Sequence, residues 1–205
     1  MKKSKRAHRM PLVVGLMALV AGSGVLIGTS TYAAYSDATD TSPNSFTAGS
    51  VAVGDNDSGN IMLAMTNAKP GATAQACITV AYSGSLPASV RLYGSTTGTG
   101  LDQYLSMTLT RGTFASSAPQ FASCTNFTAD AVDYIGRGNG VVYSGTLAGY
   151  PDSYAAGIVD PVAGSFEVWD ASESHVYKIG LVLMDDSGAQ GKTADQTFTW
   201  EARNN

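Results

Sequence analysis

His175 is the first residue to test for catalysis, because the only other histidine, His8, lies in the N-terminal ten residues. A zinc hydrolase typically brings two or more histidines to its metal, as the H-E-x-x-H motif does, and that motif is absent. A Ser-His-Asp triad would also need His175, but no G-x-S-x-G elbow is present to carry the serine. We expect His175, in "SESHVYK", to be a surface residue at a strand edge. We expect no catalytic residue, cofactor or metal ion.

The acidic residues offer one local cluster, "DNDSGN" at residues 55–60. Asp55 and Asp57 stand at the first and third ligand positions of a calcium-binding loop. Gly59 stands at the fifth position, and the distal glutamate of such a loop is missing. We therefore predict a polar turn, and weak cation binding at the Asp55/Asp57 turn is left open.

The N-terminus has the three parts of a secretory signal. "MKKSKRAHRM" holds five basic residues and no acid, residues 11–28 are apolar, and Ala33 and Ala34 are small. We predict that a signal peptidase removes residues 1–34 by cutting between Ala34 and Tyr35. A retained anchor is the alternative, because 18 apolar residues nearly span a bilayer. Four glycines weaken such a helix, so we expect no membrane span after cleavage and a location outside a bacterial cell.

Removal of the signal changes the charge of the chain. The full chain has 12 basic and 16 acidic residues, and the signal takes five basic residues, which leaves a net charge of −9. A chain with this charge is repelled by nucleic acid and by anionic membranes, so we expect neither as a partner. Charged residues are 14% of the chain, a low fraction that favours self-association.

Two cysteines remain after cleavage, Cys77 and Cys124. An even cysteine count in an exported chain predicts a disulfide, which would stabilise by roughly 4 kcal/mol in the chain-entropy model. Two free buried thiols are the alternative, and exposure to oxidant outside the cell disfavours it.

The apolar residues alternate with polar ones in several short runs separated by Gly-rich turns. One face of each run is apolar in "ACITVAYS", "LSMTLTRG", "VYKIGLVLM" and "QTFTWEARNN". This pattern predicts an all-β fold, a single antiparallel β-sandwich over residues 54–205. Short helices are expected only in "DAVDYIGRG" and around residues 150–158.

Several segments together resemble the TasA/camelysin family of exported bacterial proteins. These segments are "GTSTYAAYSD" at the predicted cleavage point, "SFTAGSVAV", "AKPG", "SGSLPASVRLY" and the terminal "QGKTADQTFTWEARNN". Their order and spacing agree with the family from residue 28 to the C-terminus. The resemblance implies export through a dedicated signal peptidase and a sandwich of jelly-roll type. It also implies a homo-oligomeric role in the fibres of a biofilm matrix, with an accessory assembly protein as a further candidate partner.

In fibres of this family, the N-terminal segment of one subunit completes a sheet of the next. Residues 35–53 are the corresponding candidate donor strand. Phe46 and Ala48 share one face, Val51 and Val53 share one face, and Gly49 could supply a bulge that aligns the two pairs. Addition of such a strand to an open sheet edge gives main-chain hydrogen bonds and side-chain pockets. The alternative is that this strand pairs within its own subunit.

Two other functions compete with fibre assembly. One is a monomeric cell-surface adhesin or binding module. The other is a secreted metalloprotease, since the family carries that label through camelysin. The single histidine of the mature chain gives the protease interpretation no support.

Overall fold

The computed structural model describes residues 36–40, 53–160 and 168–204. All of them belong to one compact unit, Ala34–Asn205. The predicted cleavage residues Ala34 and Tyr35 lie outside the described residues, so the cleavage site stays a prediction.

The described chain is nearly all β, and its strands form two antiparallel sheets packed face to face. The smaller sheet has the order β1-β10-β4-β8, and the larger has the order β2-β3-β9-β5-β6, with β7 also paired to β5. The predicted antiparallel sandwich is therefore confirmed. The strands are β1 (Ser36–Asp40), β2 (Val53–Asp55), β3 (Thr73–Tyr82), β4 (Ser89–Gly98), β5 (Leu105–Phe114), β6 (Phe127–Ala129), β7 (Val141–Thr146), β8 (Ile158–Val159), β9 (Ser174–Leu183) and β10 (Ala194–Arg203).

Helical structure in the described residues is limited to three short 3-10 helices. They are Leu101–Tyr104, Leu147–Gly149 and Ser187–Ala189. The short helices predicted in "DAVDYIGRG" and around residues 150–158 are wrong, because both segments form turns and bends. None of the described helices has the length and apolar character needed to cross a membrane.

The alternating runs build the core as the sequence predicts. On β5, Met107 and Leu109 are fully buried, and on β10 Trp200 is 1% exposed. The opposite face of β9 carries Val182, which is 41% exposed. Because side chains of a strand alternate between its two faces, each sheet gives one face to the shared core.

A disulfide joins Cys77 on β3 to Cys124 in the long connection between β5 and β6, with a Cα–Cα distance of 5.1 Å. The backbone N–H of Cys77 donates to the carbonyl of Ala122 at 3.2 Å. Cys77 lies on the face of β3 that points away from the core, yet it is only 2% exposed. The disulfide therefore holds this connection over the middle of the β3 edge.

Candidate assembly site

Among the described residues, the outer edge of β10 is covered over half its length. Ser36–Asp40 pairs antiparallel with Arg203–Thr199, whereas β4 pairs with all ten residues of β10 on the other side. No strand of the described residues covers the outer edge of Ala194–Phe198. An uncovered strand edge presents backbone groups that can pair with another extended chain.

Strand β2 occupies the neighbouring edge of the larger sheet. Val53–Asp55 pairs antiparallel with Tyr82–Val80, and Val53 is 2% exposed. Of the four residues whose side chains are predicted to face the partner, Val53 is the one that the structure describes, and it pairs within its own chain, as does Ser36–Asp40 of the same candidate donor segment. Phe46, Ala48 and Val51 lie outside the described residues, so their role stays a prediction.

A cavity of about 860 Å³ lies beside the uncovered half of β10, between the two sheets. Its apolar walls come from both sheets and from the short 3-10 helices. These walls are formed by Leu101, Leu105, Leu147, Leu181, Leu183 and Phe198. Apolar walls next to free backbone groups are what an added strand needs, since its backbone and its side chains both require partners.

An irregular segment, Ile61–Asn67, closes part of this cavity, and we call it the strap. Met62, Leu63 and Met65 are partly buried against the core, whereas Ile61 is 84% exposed. No backbone group of the strap makes a hydrogen bond to another described residue. Within the described residues, side-chain packing is therefore what holds the strap in place. Strand periodicity does not predict the strap, and its one signal in the sequence is "IMLAM", a short apolar run between two turns.

The turn before the strap is the predicted polar turn. Asp57 N–H donates to Asp55 Oδ1 at 3.1 Å, and Gly59 N–H donates to Asp57 Oδ1 at 2.7 Å. The side chain of Asn56 accepts from Thr79 N–H at 3.0 Å, which fastens the turn to β3. Asp57 is only 4% exposed, which its position in a polar turn does not predict.

The opposite end of the sandwich holds a buried polar network centred on Arg111, which is 4% exposed. Its Nε lies 3.5 Å from Asp160 Oδ2 and 3.7 Å from Asp130 Oδ2. Asp160 is fully buried and also accepts hydrogen bonds from Tyr177 Oη at 2.7 Å and from Trp169 Nε1 at 3.2 Å. The sequence analysis missed this network, and its one signal was an arginine inside the alternating run "LSMTLTRG".

The prediction that His175 is a surface residue is wrong. Its side chain is 13% exposed and packs against Trp169 with a ring-centroid distance of 4.5 Å. Nε2 lies 2.8 Å from Glu173 Oε1, and Arg111 Nη2 lies 2.8 Å from both ring nitrogens.

These residues do not fit a catalytic zinc. Among the described residues, His175 contacts the Glu173 carboxylate and the Arg111 guanidinium. Arg111 also pairs with Asp130 and Asp160, so its guanidinium already supplies the positive charge that a metal ion would bring to these carboxylates. Within residues 36–40, 53–160 and 168–204, no group of three or more His, Cys, Asp or Glu residues is arranged to hold a metal ion. We derive no catalytic step through a metal from this arrangement.

The fold and the half-covered edge define an antiparallel β-sandwich with a candidate strand-accepting site. The family model described as Camelysin metallo-endopeptidase, Peptidase_M73, matches residues 10–103. This match supports the TasA/camelysin family that the sequence resemblance predicts. The match runs through the strap and β4, and strands β5 to β10 lie beyond it. A comparison with curated proteins found no match.

Proposed function

We propose that this chain is a secreted structural protein that assembles into extracellular fibres of a bacterial biofilm matrix. Each subunit would donate its N-terminal strand to the next copy of the same chain. The match to the camelysin family model supports a secreted protein, and so does the signal-like N-terminus. The expected partners are a second copy of the chain, a signal peptidase during export and an accessory assembly protein.

The half-covered edge of β10 is the observation that carries the proposal. Strand β1 belongs to the smaller sheet and, among the described residues, pairs with β10 over five residues. Residues 41–52 then lead to β2 in the other sheet. Strand β1 of one copy can take the same antiparallel register against Thr199–Arg203 of another, because the main-chain hydrogen bonds are the same in both cases.

The segment that follows β1 is suited to the uncovered half of β10. Asp40 is opposite Thr199 in the observed register. If a donated chain continued in that register, residues 41–45 would lie beside Phe198–Ala194. Phe46 would then reach the mouth of the apolar cavity. Edge positions tolerate a proline such as Pro43, since an edge strand has one side without ladder partners.

Negative-stain electron microscopy of secreted chains that begin at Tyr35 tests this function. We expect fibres from the wild type and from Thr47→Asp, and only monomers from Phe46→Asp. The two variants carry the same added charge at adjacent positions, so the comparison isolates the side chain predicted to face the partner. A variant that begins at Gly54 should also remain monomeric.

Each other outcome has a distinct meaning. Fibres from Phe46→Asp at the wild-type yield would show that Phe46 is not part of the donated strand. Monomers from every chain would favour the surface adhesin instead. Proteolysis that is lost on chelation, together with one retained metal per chain, would be needed to support the metalloprotease.

A further inference from the structure

The strap occupies part of the space that a donated strand would need. Met62, Leu63 and Met65 line the same cavity as Leu181, Leu183 and Phe198. The cavity that remains open is about 860 Å³, far more than one side chain fills, so the strap leaves the groove incompletely packed. An incoming strand that buries apolar side chains there would compete with the strap for the same walls.

The ends of the strap are fixed, and its middle is not. On one side, Asn60 N–H donates to the carbonyl of Asp57 at 2.9 Å. On the other side, Gly71 N–H donates to the carbonyl of Leu183 at 2.8 Å. The strap between them makes no backbone hydrogen bond within the described residues. The middle can therefore move away without breaking any ladder, and segments of this kind open more readily than core strands.

The residues that anchor the strap also suit reversible binding. Two of its three anchors are methionines, whose unbranched and flexible side chains pack adequately in more than one arrangement. Removing them from the cavity exposes apolar surface, which favours the closed strap in a free subunit. A donated strand replaces those contacts and adds backbone hydrogen bonds along Ala194–Phe198, so it favours the open strap.

We propose that the strap is an internal competitor that covers the strand-accepting groove of a free subunit and is displaced when a second copy donates its N-terminal segment. The inference rests on the proposed function, because it names the element that controls access to the same site. The strap would limit the fraction of subunits that are ready to accept a strand, and that fraction sets the apparent affinity for the donor.

Assembly kinetics of strap variants give the first test. Leu63→Ser combined with Met65→Ser removes two anchors, and we expect its fibres to appear with a lag shorter by on the order of tenfold. Ala64→Ser is the matched control, because Ala64 lies in the same segment but is exposed and does not line the cavity. We expect its lag to equal that of the wild type. An unchanged or longer lag in the double variant, or an equal shortening in the control, would overturn the proposal.

A binding experiment on the wild-type chain separates this proposal from the proposed function. A peptide of residues 35–53 is added to the chain that begins at Tyr35, and the methionine methyl signals are followed by NMR. We expect the signals of Met62 and Met65 to move to exposed positions, while that of Met107, which is fully buried on β5, stays unchanged. A peptide that binds without moving Met62 and Met65 would refute the strap and leave strand donation intact. A peptide that does not bind, together with absence of fibres, would refute both.

Discussion

The two ends of the sandwich are held together by different kinds of contact, although the same two strands, β5 and β9, reach both ends. At one end, β5 and β9 bring Arg111 opposite Tyr177, and a buried network of charges and hydrogen bonds joins the surrounding segments. At the other end, the same two strands bring Leu105 opposite Leu183, and a cavity remains beneath a strap that makes no backbone hydrogen bond to the described residues. In the part of the chain that the structure describes, directional contacts hold one end together, and apolar side chains close the other.

This difference indicates where the molecule can change and where it cannot. A buried ionic network tolerates little displacement, because each group that loses its partner is left charged in a medium of low dielectric constant. Apolar contacts have no direction, so one apolar segment can replace another on the same walls. An assembly site built at the apolar end would leave the network end undisturbed during strand exchange.

Removal of Arg111 should have the largest effect on stability. In Arg111→Met the fully buried Asp160 loses its cationic partner, and we expect the free energy of unfolding to fall by about 3–5 kcal/mol. Arg137→Met is the control, since Arg137 is exposed and should change stability by no more than about 0.5 kcal/mol. Urea unfolding followed by tryptophan fluorescence measures both. Equal stability of the two variants would show that the network does not fasten this end.

Truncation of a core methionine and of a strap methionine should have smaller and unequal effects. Met107 is fully buried in the core, and Met107→Ala should cost about 2–5 kcal/mol through the lost contacts and the cavity left behind. Met65 is partly buried beside a cavity that already exists, so Met65→Ala should cost about 1 kcal/mol or less. The same unfolding measurement applies. A cost for Met65→Ala as large as that for Met107→Ala would show that the strap belongs to the rigid core.

The sequence predicts the sandwich far better than it predicts these two ends. Strand "LSMTLTRG" shows its core face by alternation alone, because a half-buried strand needs apolar residues at every second position. The same reasoning cannot find the Arg111 network, since Asp160 and His175 reach Arg111 only through long-range packing. The residues beside His175 in the sequence are polar and predict an exposed side chain, whereas the folded chain packs that side chain against Trp169.

The strap was missed for a related reason. A period-two pattern predicts strands that pair, and Ile61–Asn67 neither pairs nor keeps a regular period. Its packing depends on a gap between the two sheets, which exists only once both sheets have formed. The half-covered edge of β10 is similarly a property of register, and local sequence does not fix register between distant strands.

The smallest predicted effect is a loss of stability at high pH, caused by ionisation of Tyr134 at the network end. Burial, together with donation of its O–H to Asp130 at 2.9 Å, raises the pKa of Tyr134 to about 12. Because this folded-state pKa is above the ordinary value near 10, the neutral ring stabilises the fold fully below pH 10, and that contribution is lost as the pH rises toward about 12. The free energy of unfolding of the wild type should therefore decline over this interval, and Tyr134→Phe should decline less steeply. Phenolate absorbance checks the pKa directly, and urea unfolding at a series of pH values checks the linkage. If both chains lose stability with the same slope, the phenol of Tyr134 does not contribute to fastening this end, and the contrast between the two ends must rest on Arg111 and Asp160.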